Sequence, residues 1–415
     1  MHKTAKPSGE RVASAKHTGT SNSATNRKSL LLDARNLKMA RSAHAYVRGN
    51  TAKFYEWLSS DKSLIVPAGP SVWICGDCHV GNLGPIASAK GQIDIQIRDL
   101  DQTVIGNPAY DLIRLGLSLA SAARGSDLPG VMTSRILEQL VLGYELAFAD
   151  HVDEKDSERP KAVEVTLKTA LKRKWKHLAA ERIKGTTPQI PIGKHFLRIT
   201  KAERKAIDAL FADEKIRRLV TVLRSRDDDA KIEVLDAAYW VKGCSSLGLL
   251  RYAVLLGVGG EDGEFCLVDI KEGVKAVAPA AAKAEMPKDN AERVVQGAWH
   301  ISPALGDRMR AAELLGKSVF LRELLPQDLK FEIEHLTPDE ATKVAKFLAM
   351  VVGKAHARQM DETARRDWQK ELKHNRTKTL DAPNWLWTGV VELLALHEKA
   401  YLEHCRKYVM GLEKG

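Results

Sequence analysis

No run of 18 or more apolar residues occurs in the chain, so no membrane-spanning helix is expected. The first 29 residues, MHKTAKPSGERVASAKHTGTSNSATNRKS, contain no apolar stretch of the kind a secretory signal requires. They are basic and rich in Ser and Thr, and residues 1–28 are expected to form a disordered tail. There are only five cysteines, an odd number without regular spacing, which argues against a disulfide framework and for reduced thiols in a cytoplasm. Aromatic residues make up 6% of the chain and do not alternate with basic ones, so a base-stacking platform is absent. The net charge of +11 favours anionic partners, nucleotide or phosphate among them. Much of that charge sits in the tail and in 165–225, where a solvated basic face is the simpler reading. Neither a membrane nor a nucleic acid is expected as a partner.

What the chain does have is length and apolar content. Its 415 residues, 44% of them hydrophobic, suffice for two domains or one large bilobal one. Residues 29–58 read as one or two helices, interrupted by Arg48-Gly49. Val72 to Ser118 holds two apolar runs, two acidic loops and the start of a helix, and a further helix spans 131–151. Residues 152–230 are basic and helical and resemble an insertion. Residues 231–328 are β-rich. From 329 the chain is helical again, with an amphipathic helix over 338–359 and a last helix over 388–412. Internal repeats are absent.

The chemistry is concentrated in Val72 to Ser118. An apolar run ends in Gly76-Asp77, Asn82 follows five residues later, and Ile93, Ile95 and Ile97 alternate up to Asp99. Phosphoryl transfer needs positioned carboxylates and Mg²⁺ more than a nucleophilic side chain. Mg²⁺ takes oxygen ligands and keeps several waters, so one or two protein oxygens suffice. Asp77 suits the base that receives the acceptor hydroxyl proton. Asn82 and Asp99 suit metal ligands, with Asp101 as the rival of Asp99. The competing reading is local: Asp and Asn favour turns, and Asp111 suits a helix cap. Cys75-x-x-Cys78-His79 also spells a haem-attachment pattern, but that chemistry requires export, and small buried loop thiols are the simpler expectation.

Gly76-Asp77-x-x-x-x-Asn82, then Asp99, then Gly106-x-Pro108-x-x-Asp111-Leu112 resembles the catalytic core of aminoglycoside-phosphotransferase-type members of the protein-kinase superfamily. The resemblance implies Asp77 as catalytic base, Asn82 and Asp99 as metal ligands, and Asp111 as a structural residue at a helix start. The interval from Asp99 to Asp111 favours Asp99 over Asp101. Cys75 departs from the pattern, which carries His there.

Such a site also needs a nucleotide-binding lobe, and only helices are expected before Val72. The β-rich block supplies the parts downstream. Gly243-x-Ser245-Ser246-x-Gly248 lies between two expected strands, where backbone N–H groups suit phosphate. Lys271 ends the next strand and suits the phosphates, Glu292 on the following helix suits its acidic partner, and Lys317 to Leu325 leads to a hinge near 326–328. The expected fold is therefore α+β and bilobal, a circularly permuted protein-kinase-like arrangement. Its parts are a tail (1–28), the catalytic-loop part of a helical lobe (29–151), a helical insertion (152–230), a nucleotide lobe (231–328) and returning helices (329–415).

The wider pattern also resembles an uncharacterised bacterial group, the domain of unknown function 2252 family. The resemblance rests on Met39-Ala40-x-Ser42, Arg48-Gly49, Gly76-Asp77-x-His79-x-x-Asn82-x-Gly84, Asp99-x-Asp101, Gly243-x-x-Ser246-x-Gly248, Lys271-Glu272, Arg293-Val294-Val295, Arg322-Glu323-Leu324 and Ala355-His356-Ala357-Arg358. The expected activity is ATP- and Mg²⁺-dependent phosphoryl transfer to a small-molecule or protein acceptor. The alternatives are nucleotidyl transfer on the same site, a degenerate nucleotide- or partner-binding module, and a basic nucleic-acid binder. His79 is expected to structure its loop by a hydrogen bond and His356 to be a satisfied interior histidine. Arg48 and Arg322 suit either phosphate or carboxylates on other segments.

Overall fold

The structure is a computed structural model. It describes residues 24–61, 65–149, 158–182, 189–223, 226–242, 248–260, 263–329, 337–374, 376–377 and 380–408. Three helices, α1 (Ala24–Met39), α2 (Ala43–Gly49) and α3 (Thr51–Leu58), lead to the strand β1 (Val72–Ile74). Next come β2 (Leu83–Ala87), β3 (Ile93–Ile97), β4 (Val104–Gly106), α4 (Pro108–Gly125) and α5 (Val131–Leu146). The middle of the chain contributes α6 (Lys161–Lys172), α7 (Trp175–Arg182), β5 (Phe196–Leu197), α8 (Lys201–Ala212) and α9 (Glu214–Thr221). The β-rich block holds β6 (Ile232–Trp240), β7 (Arg251–Val258), β8 (Glu264–Glu272), α10 (Asn290–Ile301), α11 (Pro303–Gly306), β9 (Met309–Leu314) and β10 (Lys317–Leu324). The last elements are α12 (Pro338–Ala357), α13 (Glu362–Lys373), β11 (Arg376–Thr377), β12 (Leu380–Pro383) and α14 (Asn384–Tyr408).

The architecture is mixed α+β. One antiparallel sheet of six strands runs in the order β5-β6-β7-β8-β10-β9. Its centre obeys the period-2 rule of strands. On β7, Tyr252, Val254 and Leu256 enter one cluster, shared with Ile207 and Phe211 of α8 and Ile216, Leu219 and Val220 of α9. Ala253 and Leu255 enter a second cluster on the opposite face, with Leu178, Trp240 and Leu267. Lys271 has the parity of Leu267, so it leaves the sheet on that second face. The sheet thus takes its edge strand β5 and two covering helices from the stretch read as a separate helical insertion.

A larger core joins α4, α5, α12 and α14 to the carboxylate-bearing strands, and α10 contributes Ala291, Val294, Ala298 and Ile301 to it. Helix α12 begins with a capping box: Thr337 accepts from the Glu340 N–H, and Pro338 stands at the first helical position. Helix α4 is capped by Asn107, whose carboxamide oxygen accepts from Ala109 N at 2.9 Å. The cap is therefore not Asp111, which lies in the first turn and is fully buried.

Several boundaries differ from the sequence reading. Helix α1 starts at Ala24, inside the stretch assigned to the tail; residues 1–23 lie outside the described residues. The Arg48-Gly49 break is present, since α2 ends at Gly49 and Asn50 caps α3. Strand β9 was missed. Its alternation is faint because Arg310 and Glu313 sit in a strand on the edge of the sheet, where one side needs no apolar residue.

Candidate active site

The site is built on β1, which pairs with β4 in the register Trp73↔Ile105. Beyond Ile74 the chain turns at Gly76, which has φ +73°, and a side chain there would overlap the Gln102 carbonyl. The turn hangs from Asp111. That carboxylate accepts from the N–H groups of Cys75 at 2.7 Å and Gly76 at 3.0 Å. Asp111 is itself held by His356, whose Nε2 lies 3.2 Å from its Oδ2. The His356 Nδ1 meets the Tyr144 hydroxyl at 2.9 Å, and Trp368 donates to that hydroxyl at 3.2 Å. The network assigns the His356 proton to Nε2, facing the carboxylate. His356 is the satisfied interior histidine its setting suggested.

Asp77 follows Gly76 and is 8% exposed. Arg114, fully buried in the middle of α4, donates to its Oδ1 through Nε at 2.9 Å, and Nη2 of the same guanidinium lies 2.9 Å from that oxygen. Nη2 also donates to the Val47 carbonyl at 2.7 Å, tying α2 to the loop. Burial pushes the Asp77 carboxyl above its usual range; Arg114 opposes this and the Asp99 charge adds to it. Asn82 donates its amide to the Asp77 carbonyl at 2.9 Å. That bond commits the amide nitrogen and leaves the amide oxygen as the acceptor for a cation.

The hairpin β2–β3, in the register Leu83↔Ile97, delivers Asp99 just past its end. Against it stands Lys271, 6% exposed. Its Nζ donates to Asp99 Oδ1 at 3.2 Å and also contacts Asp101 Oδ2. One ammonium thus faces two carboxylates. The two respond in opposite directions. Burial opposes ionisation of Asp99, but the Lys271 ammonium, helped by the neighbouring Asp101, outweighs it and holds Asp99 well below the usual range. For Asp101, burial and then the Asp99 charge push the carboxyl up. Behind Lys271, Arg251 and Asp269 form a buried pair, with Nε to Oδ1 at 2.9 Å.

The expected partner of Lys271, Glu292, is elsewhere. It is exposed on the first turn of α10, and its backbone N–H donates to the Asp289 cap at 2.9 Å. The helix turns about 100° per residue, so the next position faces inward instead. That residue is Arg293, which donates to the carbonyls of Asp101 at 3.1 Å, Val274 at 2.9 Å and Thr103. The acidic partners of Lys271 are Asp99 and Asp101. His79 also departs from expectation. It is 5% exposed, its Nδ1 has no partner among the described residues, and its Nε2 is 3.9 Å from Asp77 Oδ2. Arg322 takes neither expected role, donating instead to the Arg98 carbonyl at 2.9 Å.

Gly248 has φ +98° and open space around it, on the connection between the paired strands β6 and β7. Gly243, Ser245 and Ser246 lie outside the described residues. Among the described residues no three His, Cys, Asp or Glu side chains converge to hold a metal. The oxygen set that does converge is Asp99 and Asp101, and Asp101 Oδ1 is buried without a partner among the described residues. The two carboxylates, one of them with an oxygen free of partners among the described residues, supply oxygen ligands that fit a hard divalent cation keeping several waters, with the Lys271 ammonium holding their charge in its absence. Sequence reasoning gave no role to Arg114, and named Arg293 only as part of the wider family pattern. Arg114 left a trace, a lone cation within the apolar run Leu112-Ile113-Arg114-Leu115.

Fold and site together define a mixed α+β protein in which a helical body presents loop carboxylates to a lysine on an antiparallel sheet. The chain belongs to the family described as an uncharacterized protein conserved in bacteria, DUF2252, which matches over residues 27–407. No curated protein and no solved structure matches it. Among the described residues no helix is long and apolar enough to cross a membrane.

Proposed function

We propose that the protein is an ATP- and Mg²⁺-dependent phosphotransferase with a circularly permuted protein-kinase-like arrangement. The observation that carries this reading is the contact of Lys271 with Asp99 and Asp101, 172 and 170 positions away. The order of elements supports it: a meander β6-β7-β8 with the lysine on its third strand, then helix α10, then β9 and β10, with β10 beside the lysine strand. Lys271 would neutralise nucleotide phosphates, and Asp99, Asn82 and Asp101 would hold the metal. A metal held by these residues would supply positive charge to offset that of the phosphates. Asp77, with its carboxyl raised by burial, would orient the acceptor hydroxyl and take its proton. As the acceptor oxygen bonds to the γ-phosphorus, the bond from that phosphorus to the bridging oxygen breaks, and its electron pair leaves with ADP.

Titration of the full chain with ATP and Mg²⁺ tests the reading. Binding is expected, with Lys271→Ala and Asp99→Ala each weakening it at least tenfold. Asp77→Asn should keep binding and lose about 10²–10⁴-fold in turnover once an acceptor is supplied. Absence of binding, or binding indifferent to both the Lys271 and Asp99 changes, overturns it. Binding without turnover on any acceptor pool would favour a nucleotide-binding module instead.

A further inference from the structure

The space beside Asp77 has a charge balance of its own. Arg114 and Asp77 cancel one another at 2.9 Å. Arg48, half-buried at the end of α2, is paired with no carboxylate among the described residues. Its guanidinium lies directly over Gly81 of the catalytic loop, where a Cβ would overlap it. His44, four residues earlier on α2, shares the helix face of Arg48. His79, two residues before Gly81, comes from the loop side. The Nδ1 atoms of His44 and His79 and the Arg114 Nη1 are all buried without a partner among the described residues. Buried polar atoms are ordinarily bonded, so three partnerless ones around a single surplus cation are unusual.

These groups sense one another. Burial lowers His44 to about 4, with Arg48 and Arg114 adding to it, and burial and the same two arginines hold His79 well below the ordinary imidazole value. Both imidazoles are therefore neutral, and each brings one N–H. The arrangement offers a guanidinium fork and ring N–H donors, and the nearest carboxylate, Asp77 with Oδ2 3.9 Å from His79 Nε2, has its charge offset by Arg114. That is the donor set for an oxyanion.

Resting on the phosphotransferase reading, we propose that Arg48, His44 and His79 form a subsite for an oxyanion carried by the acceptor. The acceptor is then an anionic molecule bearing a phosphate or carboxylate beside the hydroxyl that Asp77 serves. A polycationic acceptor of the aminoglycoside kind would meet Arg48 head-on and is disfavoured.

Calorimetric titration of the full chain tests this, with inorganic phosphate in one arm and acetate in the other. Wild-type protein is expected to bind at least one of them. Whichever binds more tightly identifies the charged group of the acceptor. Arg48→Gln should weaken that binding at least tenfold. Gly81→Ala, which keeps every charge but displaces the guanidinium, should do the same, and it keeps the test decisive where Arg48→Gln fails to fold. A non-hydrolysable ATP analogue with Mg²⁺ should not displace the anion. The subsite is overturned if neither anion binds, if binding survives both substitutions, or if the analogue displaces it. Anion binding lost in Arg48→Gln, in a protein that does not bind the analogue, would support the subsite while removing the phosphotransferase reading. Analogue binding without anion binding would do the reverse.

Discussion

At the scale of single residues, the molecule buries ionisable groups and assigns each a charge state. His397 on α14 is 1% exposed, and its Nδ1 lies 2.9 Å from the Leu393 carbonyl. Burial, with Arg114 adding to it, lowers its pKa from 6.5 to about 4. Between those values the unfolded chain binds the proton and the folded one does not. Stability should therefore be full above pH 6.5 and fall as the pH drops toward 4. At about 1.4 kcal/mol per pH unit, the loss from this one residue is about 3 kcal/mol. Urea unfolding at pH 4 and 7 should show that His397→Gln narrows the difference; an unchanged difference would remove His397 as a cause. This scale also shows what a sequence can reveal. Asp77, Asn82, Asp99 and Lys271 were visible because each stands where local pattern changes, after a Gly or at a strand end. Arg293 and Glu292 were exchanged because the phase of a short helix against a distant core is not written in the helix itself. Arg114 and Arg293 act on carbonyls 67 and 190 positions away, and no local pattern encodes such partners.

At the scale of elements, the helical body depends on how closely α5 approaches α12. A Cβ at Gly143 would overlap the Lys346 carbonyl, and one at Gly353 would lie 2.6 Å from Ala147 Cβ and 2.8 Å from the Tyr144 carbonyl. The obstacle at Gly143 is backbone and cannot rotate away. Gly143→Ala should destabilise the protein by about 3 kcal/mol, at the upper end for overpacking. Thermal denaturation would detect this, and a change below about 0.5 kcal/mol would show that the helices slide apart freely. The same crossing places His356 of α12 between Tyr144 of α5 and Asp111, so spreading these helices should also loosen the turn that carries Asp77. The helices were legible from apolar spacing and caps. The membership of β5 in the sheet was not, because two residues, Phe196 and Leu197, hold no periodicity to read.

At the scale of the whole molecule, the sheet and the helical body share several buried contacts, two of which involve ion pairs. One is Lys271 on the two carboxylates. The other is Asp328, whose Oδ1 accepts from Arg308 Nη2 at 3.0 Å, while its carbonyl accepts from Arg98 at 3.0 Å. The Arg308 and Asp328 side chains are 0% and 3% exposed. Removing one member leaves the other charge buried and alone, so Asp328→Ala should cost about 3–5 kcal/mol. Adding Arg308→Met should recover part of that loss. A double variant as unstable as the sum of the singles would show that the pair is not coupled.

The long reach from Asp111 to His356 has a consequence for synthesis. The aspartate leaves the ribosome 245 residues before the histidine that holds it. At about 5–20 residues per second, the nascent chain spends on the order of ten seconds or more with that carboxylate unanchored. The turn that leads to Asp77 hangs from Asp111, and in that interval its brace from His356 is missing. Under the proposed reading, the residues that would carry the chemistry are made first and braced last, so a chain stalled before α12 would hold Asp77, Asn82, Asp99 and Lys271 with Asp111 still without its histidine.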